Sequence, residues 1–202
     1  MNDDAPKIRT RKSLEMRQQE VIDAALRAIG RNGLSRTTLA DIAKEAGIGY
    51  GNLSFRFKKK EALLVAALQY LIDEYEVKID GAAATGSTAV ERLDNVLELS
   101  FSRPLTTKNK LAVWAAFWSE CHTQAAYRKL FGQFRIREAE RMTSLCRQVL
   151  AENGGASEDA EAIAVGINAL IEGLWSSMAR GGFLEREEGL AIARKFASRV
   201  VF

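Results

Sequence analysis

The chain has 202 residues, 47% hydrophobic and 27% charged, a balance that excludes a disordered or fibrous polypeptide and supplies enough apolar material for a core. Its formal charge of +3 is unevenly placed: residues 1–60 hold 13 Lys and Arg against 7 Asp and Glu, and the rest hold 16 against 19. A basic head on a mildly acidic body suits contact with phosphates at one end, and two cysteines, Cys121 and Cys146, are too few for a disulfide framework. The amino end is polar, and no run of about 18 uncharged apolar residues occurs, so neither secretion nor a membrane span is expected and the cytoplasm is the expected location. With only two prolines, Pro6 and Pro104, and no alternating strand pattern, the expected class is all-α with about nine helices.

Residues 1–12 lack apolar periodicity and read as a flexible arm, either a plain tail or one that carries Arg9, Arg11 and Lys12 into a minor groove. From residue 13 to about 32, Leu14, Val21, Ile22, Ala25, Leu26 and Ile29 share one face of a helix closed by Asn32 and Gly33. Residues 37–57, TTLADIAKEAGIGYGNLSFRF, read as a helix-turn-helix. Thr38 and Asp41 form a capping pair, Leu39, Ile42, Ala43 and Ala46 give the first helix its apolar face, and Gly47 stops it. The second helix, from about Gly49 to Phe55, has Leu53 inward and its other positions outward, the arrangement that lies in a major groove. A compact helical corner of an enzyme has the same short-range spacing.

A fourth helix runs from about Lys59 to Asp80, with Lys58, Lys59 and Lys60 at its positive end, a placement that favours an anion such as a DNA phosphate. Residues 81–87, GAAATGS, read as a linker. Helices are then expected over 88–102, 108–121, 124–152, 157–180 and 185–200. The division expected is a DNA-binding unit over residues 1–57 and a ligand-binding and dimerisation unit over 58–202. Ile163, Ile167, Leu170, Ile171, Leu174 and Met178 form one apolar stripe near the end, and Leu190, Ile192, Ala193, Phe196, Val200 and Val201 another. Small residues at 166, 169 and 173 permit close helix approach. These stripes are the expected dimer surface, unless they bury within one subunit; one short recognition helix reads few bases, and a symmetric mate supplies the second half-site.

The run TLADIAKEAGIGYGNLSFRFKKKEALL resembles the DNA-binding signature of TetR-family transcriptional regulators. Thr38, Ile42, Ala43, Ala46, Gly47, Ile48, Gly51, Leu53, Phe57, Lys60, Glu61 and Leu63 match it, whereas Gly49, Ser54, Arg56 and Lys59 depart at positions usually held by hydroxyl-bearing or ring side chains. The resemblance implies a homodimer on double-stranded operator DNA, with α-helical pairs from the two subunits meeting as a four-helix bundle. On this reading Thr37, Thr38, Tyr50, Gly51, Asn52, Phe55 and Arg56 face DNA, and Lys44, Lys59 and Lys60 lie at phosphates. Asn52 is suited to a base edge and the cations to charge alone.

No catalytic or metal constellation is present in the sequence. His122 is the sole histidine, neither cysteine has a partner at zinc spacing, and no phosphate-binding glycine loop occurs, so no enzyme activity, metal or cofactor is expected. The body does hold Trp114, Phe117, Trp118, Tyr127, Phe131 and Trp175, with Glu120 and Glu172 close to two of the tryptophans in sequence. Aromatic faces with a carboxylate hold organic cations, although aromatics at helical spacing also build plain core. The segments WAAFWSECHTQAAYRKL and ALIEGLW, with the Gly pair before the last helix, resemble the C-terminal domain of the BetI-type branch, whose named member responds to choline. The resemblance implies a ligand-responsive repressor with a small-molecule effector. An architectural DNA binder without inducer, or a helical enzyme or carrier with an incidental basic head, remains the alternative.

Overall fold

A computed structural model describes residues 11–154, 157–181 and 183–201. Among the described residues the regular structure is entirely helical: α1 (Arg11–Asn32), α2 (Leu39–Glu45), α3 (Tyr50–Arg56), α4 (Lys60–Ala83), α5 (Ala89–Ser100), α6 (Lys108–Glu120), α7 (Ala125–Glu152), α8 (Ala160–Ala179) and α9 (Arg186–Val200), with a 3-10 turn at Ser157–Asp159 before α8. The all-α expectation holds. Arg11 and Lys12, expected in a loose arm, belong to α1, and the remainder of that arm, including Arg9, lies outside the described residues.

Local chemistry sets the boundaries. Gly33, at φ +79°, closes α1 in the left-handed region that glycine enters without penalty. Thr38 begins α2 with a capping box: its hydroxyl accepts from the Asp41 N–H at 3.1 Å, and the Asp41 carboxylate accepts from the Thr38 N–H at 2.9 Å. The same exchange between Thr88 and Glu91 starts α5. The expected linker is shorter than its composition suggests, because α4 runs on through Gly81, Ala82 and Ala83. Alanine is the best helix former, and Gly81 stands in open space, so nothing stops the helix before Ala84.

Head and body share one continuous core. Val21, Ala25 and Ile29 of α1 are buried with Ile42 of α2, Leu53 of α3, and Leu63, Leu68, Leu71 and Ile72 of α4, and the same cluster continues into the body. α6 packs against both α1 and α8, and α8 packs against α7 and α9. By length and mean hydropathy, 1.3 over its most apolar window, α8 could cross a bilayer; here it is the central helix of the body and carries Asn168 and Glu172.

The terminal apolar stripe divides in two. Ile167 and Ile171, expected at the dimer surface, are 1% and 5% exposed and point into their own subunit. At 100° per residue they share the inward face with Ala164, Asn168 and Trp175. Ile163, Leu174, Met178 and Phe196 are half-buried against the core, Leu170 is half-buried, and Val165 and Ile192 are exposed. Gly166 brings α8 and α9 close, since a Cβ there would lie 3.4 Å from the Phe196 ring.

Candidate nucleic-acid interface and effector cavity

The second helix of the expected helix-turn-helix, α3, is small and held from beneath. Gly47, at φ +64°, ends α2, and the Ile48 N–H returns to the Ala43 carbonyl at 3.0 Å, turning the chain within three residues. α3 has seven residues, and Leu53, fully buried, is its buried anchor; Gly49 caps it without a side-chain bond. A helix this short is marginal on its own, so Leu53 and the flanking half-buried Ile48 and Phe57 fix it. α2 is tied back to α1 by Glu45, which accepts from Arg27 at 2.8 Å and from Arg31. Those two hydrogen bonds, Arg31 first, bring the Glu45 carboxyl down to about 2.

What α3 presents outward is nearly all apolar ring or amide. Tyr50 is 56% and Phe55 88% exposed, and Gly51, Asn52 and Arg56 are exposed beside them. A Cβ at Gly49 or Gly51 would meet nothing within 4 Å. Thr38 and Lys44 are exposed on α2, and Lys58 and Lys59 at the start of α4. Lys60 is half-buried, its Nζ donating to the Ser35 carbonyl at 3.2 Å, which ties the start of α4 to the α1–α2 turn. Thr37 is a correction: it is fully buried, its hydroxyl donating to the Gly33 carbonyl at 2.7 Å, so it locks the turn and its side chain cannot touch DNA.

The body holds an aromatic cavity of about 10 Å³, room for a single water, lined by Tyr75, Trp114, Trp118, Phe134, Glu138, Ile171, Glu172 and Trp175. Trp114 stacks on Trp118 at 6.0 Å and on Phe134 at 5.7 Å between centroids, with Trp175 at 6.3 Å. Tyr75 meets Trp114, Phe134 and Trp175 edge-on. Trp175 is fixed by its indole N–H, which donates to the Ser100 carbonyl at 2.8 Å. Two carboxylates face these rings. Glu138, 8% exposed, accepts from the Tyr75 hydroxyl at 3.0 Å; burial raises its carboxyl above the ordinary range, against the lowering effect of that bond and of Arg135 and Arg141. Burial, and then the Glu138 charge, push the Tyr75 hydroxyl well above its usual value. Arg135 pairs with Glu172 and lies 3.7 Å from Glu138.

Of the expected effector residues, Trp114, Trp118, Glu172 and Trp175 come together. Phe117 and Tyr127 do not: they pack edge-to-face at 5.2 Å elsewhere, where burial, with Glu61 and Glu120 near, drives the Tyr127 hydroxyl up to about 12. Glu120 accepts from the Thr123 hydroxyl at 3.0 Å, since two residues beyond Trp118 is the wrong face of a helix. Phe131 stands behind the lining, 5.9 Å from Trp114. Tyr75, Phe134 and Glu138 were missed. The signal for Glu138 was present: Tyr127, Phe131, Phe134, Glu138, Met142 and Leu145 recur at helical spacing, and a carboxylate in an otherwise apolar stripe marks a buried polar group. A larger cleft of about 240 Å³ opens between α1, α4 and α6, where Glu74 is matched by Lys110 and Lys78, Arg27 by Glu45, and Asp23 accepts from the Gln19 amide at 3.0 Å.

Residues 21–67 match the family described as bacterial regulatory proteins, tetR family, and residues 89–201 match the BetI-type transcriptional repressor C-terminal domain. The HTH-type transcriptional regulator BetI of Burkholderia thailandensis is 32% identical over 186 residues, covering 90% of this chain and 92% of that one. A protein of Pseudomonas aeruginosa PAO1, proposed to be a transcriptional regulator, has a similar structure, with a TM-score of 0.82 at 25% identity over 95% of this chain and 93% of its own. One from Saccharomonospora viridis, solved in complex with choline, gives 0.81 at 22% identity over 91% and 96%. The likeness to bacterial regulators thus runs along nearly the whole length, and the chain belongs to the TetR family of bacterial transcriptional regulators, with a BetI-type C-terminal domain.

Proposed function

We propose that this regulator is a homodimeric repressor whose hold on operator DNA is released by an organic cation of the choline type bound in the aromatic cavity. The observation that carries the cation is the set of stacked rings with Glu138 and Glu172 beside them, a combination that attracts positive charge when a cationic guest competes with Arg135 for the carboxylates. The choline complex of the Saccharomonospora viridis protein is in keeping with this. Residues 1–57 serve as the DNA-binding unit and 58–202 as the ligand-binding and dimerisation unit, the protein acting in the cytoplasm.

On DNA, Tyr50, Gly51, Asn52, Phe55 and Arg56 meet the groove, while Thr38, Lys44, Lys59 and Lys60 lie along the backbone. The outer faces of α8 and α9, with Val165, Ile192 and the half-buried Leu170, Leu174 and Phe196, meet the twofold mate and set two α3 helices about 34 Å apart. The guest exceeds the roughly one-water space between the rings, so it binds a widened arrangement better and shifts the population toward it. α4 carries Tyr75 in the cavity wall and runs directly out of the head, so widening tilts the head. The test is operator affinity with and without choline, using duplexes the protein selects from a random pool. At least a tenfold loss of affinity, together with quenching of tryptophan emission on binding, is expected; choline binding that leaves operator affinity untouched overturns the repressor-release reading.

A further inference from the structure

α6 spans two places that are far apart in the sequence. Its carboxyl half supplies Trp114 and Trp118 to the cavity wall, and its amino half, through Asn109 and Lys110, grips the head and α4. Asn109 Nδ2 donates to the Leu26 carbonyl on α1 at 3.2 Å. Its amide fills the notch left by Gly30: a Cβ there would lie 2.0 Å from Asn109 Oδ1 and 2.4 Å from its Cγ, so any side chain at position 30 ejects the amide. Lys110 Nζ reaches both Glu74 oxygens at 2.7 and 2.8 Å and the Pro104 carbonyl at 2.7 Å, joining this end of α6 to α4. Beyond the notch, α1 is bound to α2 through Arg27, Arg31 and Glu45.

Leu111 and Val113, 3% and 1% exposed, pack the stretch between the notch and Trp114, which lies about 7.5 Å further along the helix axis. The notch and Trp114 thus lie on one uninterrupted, well-packed helix. The cleft of about 240 Å³ beside Asn109 and Lys110 gives its amino end room to shift against the head. At the other end the cavity of about 10 Å³ gives an organic guest no room unless Trp114, Trp118 or the helix beneath them gives way.

We propose that Asn109, seated against Gly30, is the positioning residue that couples the amino end of α6 to α1, and so the state of the cavity to the orientation of α3. This rests on the cation reading above and adds a non-covalent seat to the route through the continuous α4. The experiment uses the full chain and choline as the probe, with Asn109→Ala, Gly30→Ala and the double variant. Asn109→Ala is expected to bind choline and, without choline, operator DNA within threefold of the unmodified protein, while the choline-induced loss of operator affinity shrinks below threefold. Gly30→Ala is expected to change operator affinity at least tenfold with no choline present. Adding Asn109→Ala to it should restore affinity to within threefold of Asn109→Ala alone, because the methyl then fills the space the amide vacated; general destabilisation gives no such rescue. A full choline response in Asn109→Ala, or a double variant as impaired as Gly30→Ala, overturns the proposal. If choline fails to bind the unmodified protein, the cation reading falls on its own, and the rescue on operator DNA alone still decides whether the seat sets the head.

Discussion

The aromatic side chains of α3 and of α6 are the same kind of residue put to opposite use. Tyr50 and Phe55 stand in solvent on a seven-residue helix held by Leu53, whereas Trp114 and Phe117 are sealed within a helix that packs on two others. Exposed large apolar surface confined to a short, firmly seated element marks a face meant for a partner. Buried rings are ordinary core until carboxylates appear among them, as Glu138 and Glu172 do here. Burial alone thus separates neither site from scaffold; the unexpected polarity on each side does.

The contrast breaks most visibly by truncation. Trp114→Ala should cost about 3–5 kcal/mol in chemical denaturation, while Phe55→Ala should leave stability within about 0.5 kcal/mol and still weaken operator binding. Equal stability losses would mean that α3 is core rather than contact surface. Glu172→Gln should lower choline affinity about tenfold, roughly 1.4 kcal/mol, with operator binding intact in the absence of choline. Thr38→Ala, which removes the cap of α2, should cost about 1 kcal/mol and reduce binding to all duplexes alike. Lys59→Ala should flatten the dependence of log affinity on log salt by about 0.9; an unchanged slope removes Lys59 from the phosphate contacts.

Acidity sharpens the cavity side of the comparison. Because burial raises the Glu138 carboxyl, acidification neutralises it sooner than an ordinary carboxylate, with Tyr75, Arg135, Arg141, Glu76 and Glu172 as charged and titratable neighbours. Choline affinity should therefore begin to fall at a higher pH than in Glu138→Gln. For folding the sign is reversed: a raised folded value means the contribution of Glu138 is favourable below its unfolded value and is lost as pH rises through the folded one. Glu138→Gln should accordingly remove that loss on the alkaline side.

The head was legible in the sequence because its determinants are local. The Thr38 and Asp41 cap, the stop at Gly47 and the inward Leu53 each act within a few residues. Thr37 was misplaced for want of one detail, the turn that folds its hydroxyl onto the Gly33 carbonyl. The cavity was half legible. Trp114 and Trp118, four apart on one helix, share a face by periodicity, but Tyr75 and Phe134 join them from α4 and α7, and no local pattern states which helices become neighbours. Glu120 shows the opposite error, in which closeness along the chain stood in for closeness in space.

The unobstructed glycines at the start of α3 have a consequence for how such a regulator changes over generations. A methyl at Gly51 would meet no other part of the protein within 4 Å and would favour the helix, yet on the DNA contact proposed above it would stand between α3 and the duplex. Promoter strength could drift through single substitutions here with the fold indifferent to each step. Selection for a weaker or stronger switch therefore has a dial separate from the one that governs whether the molecule survives heat.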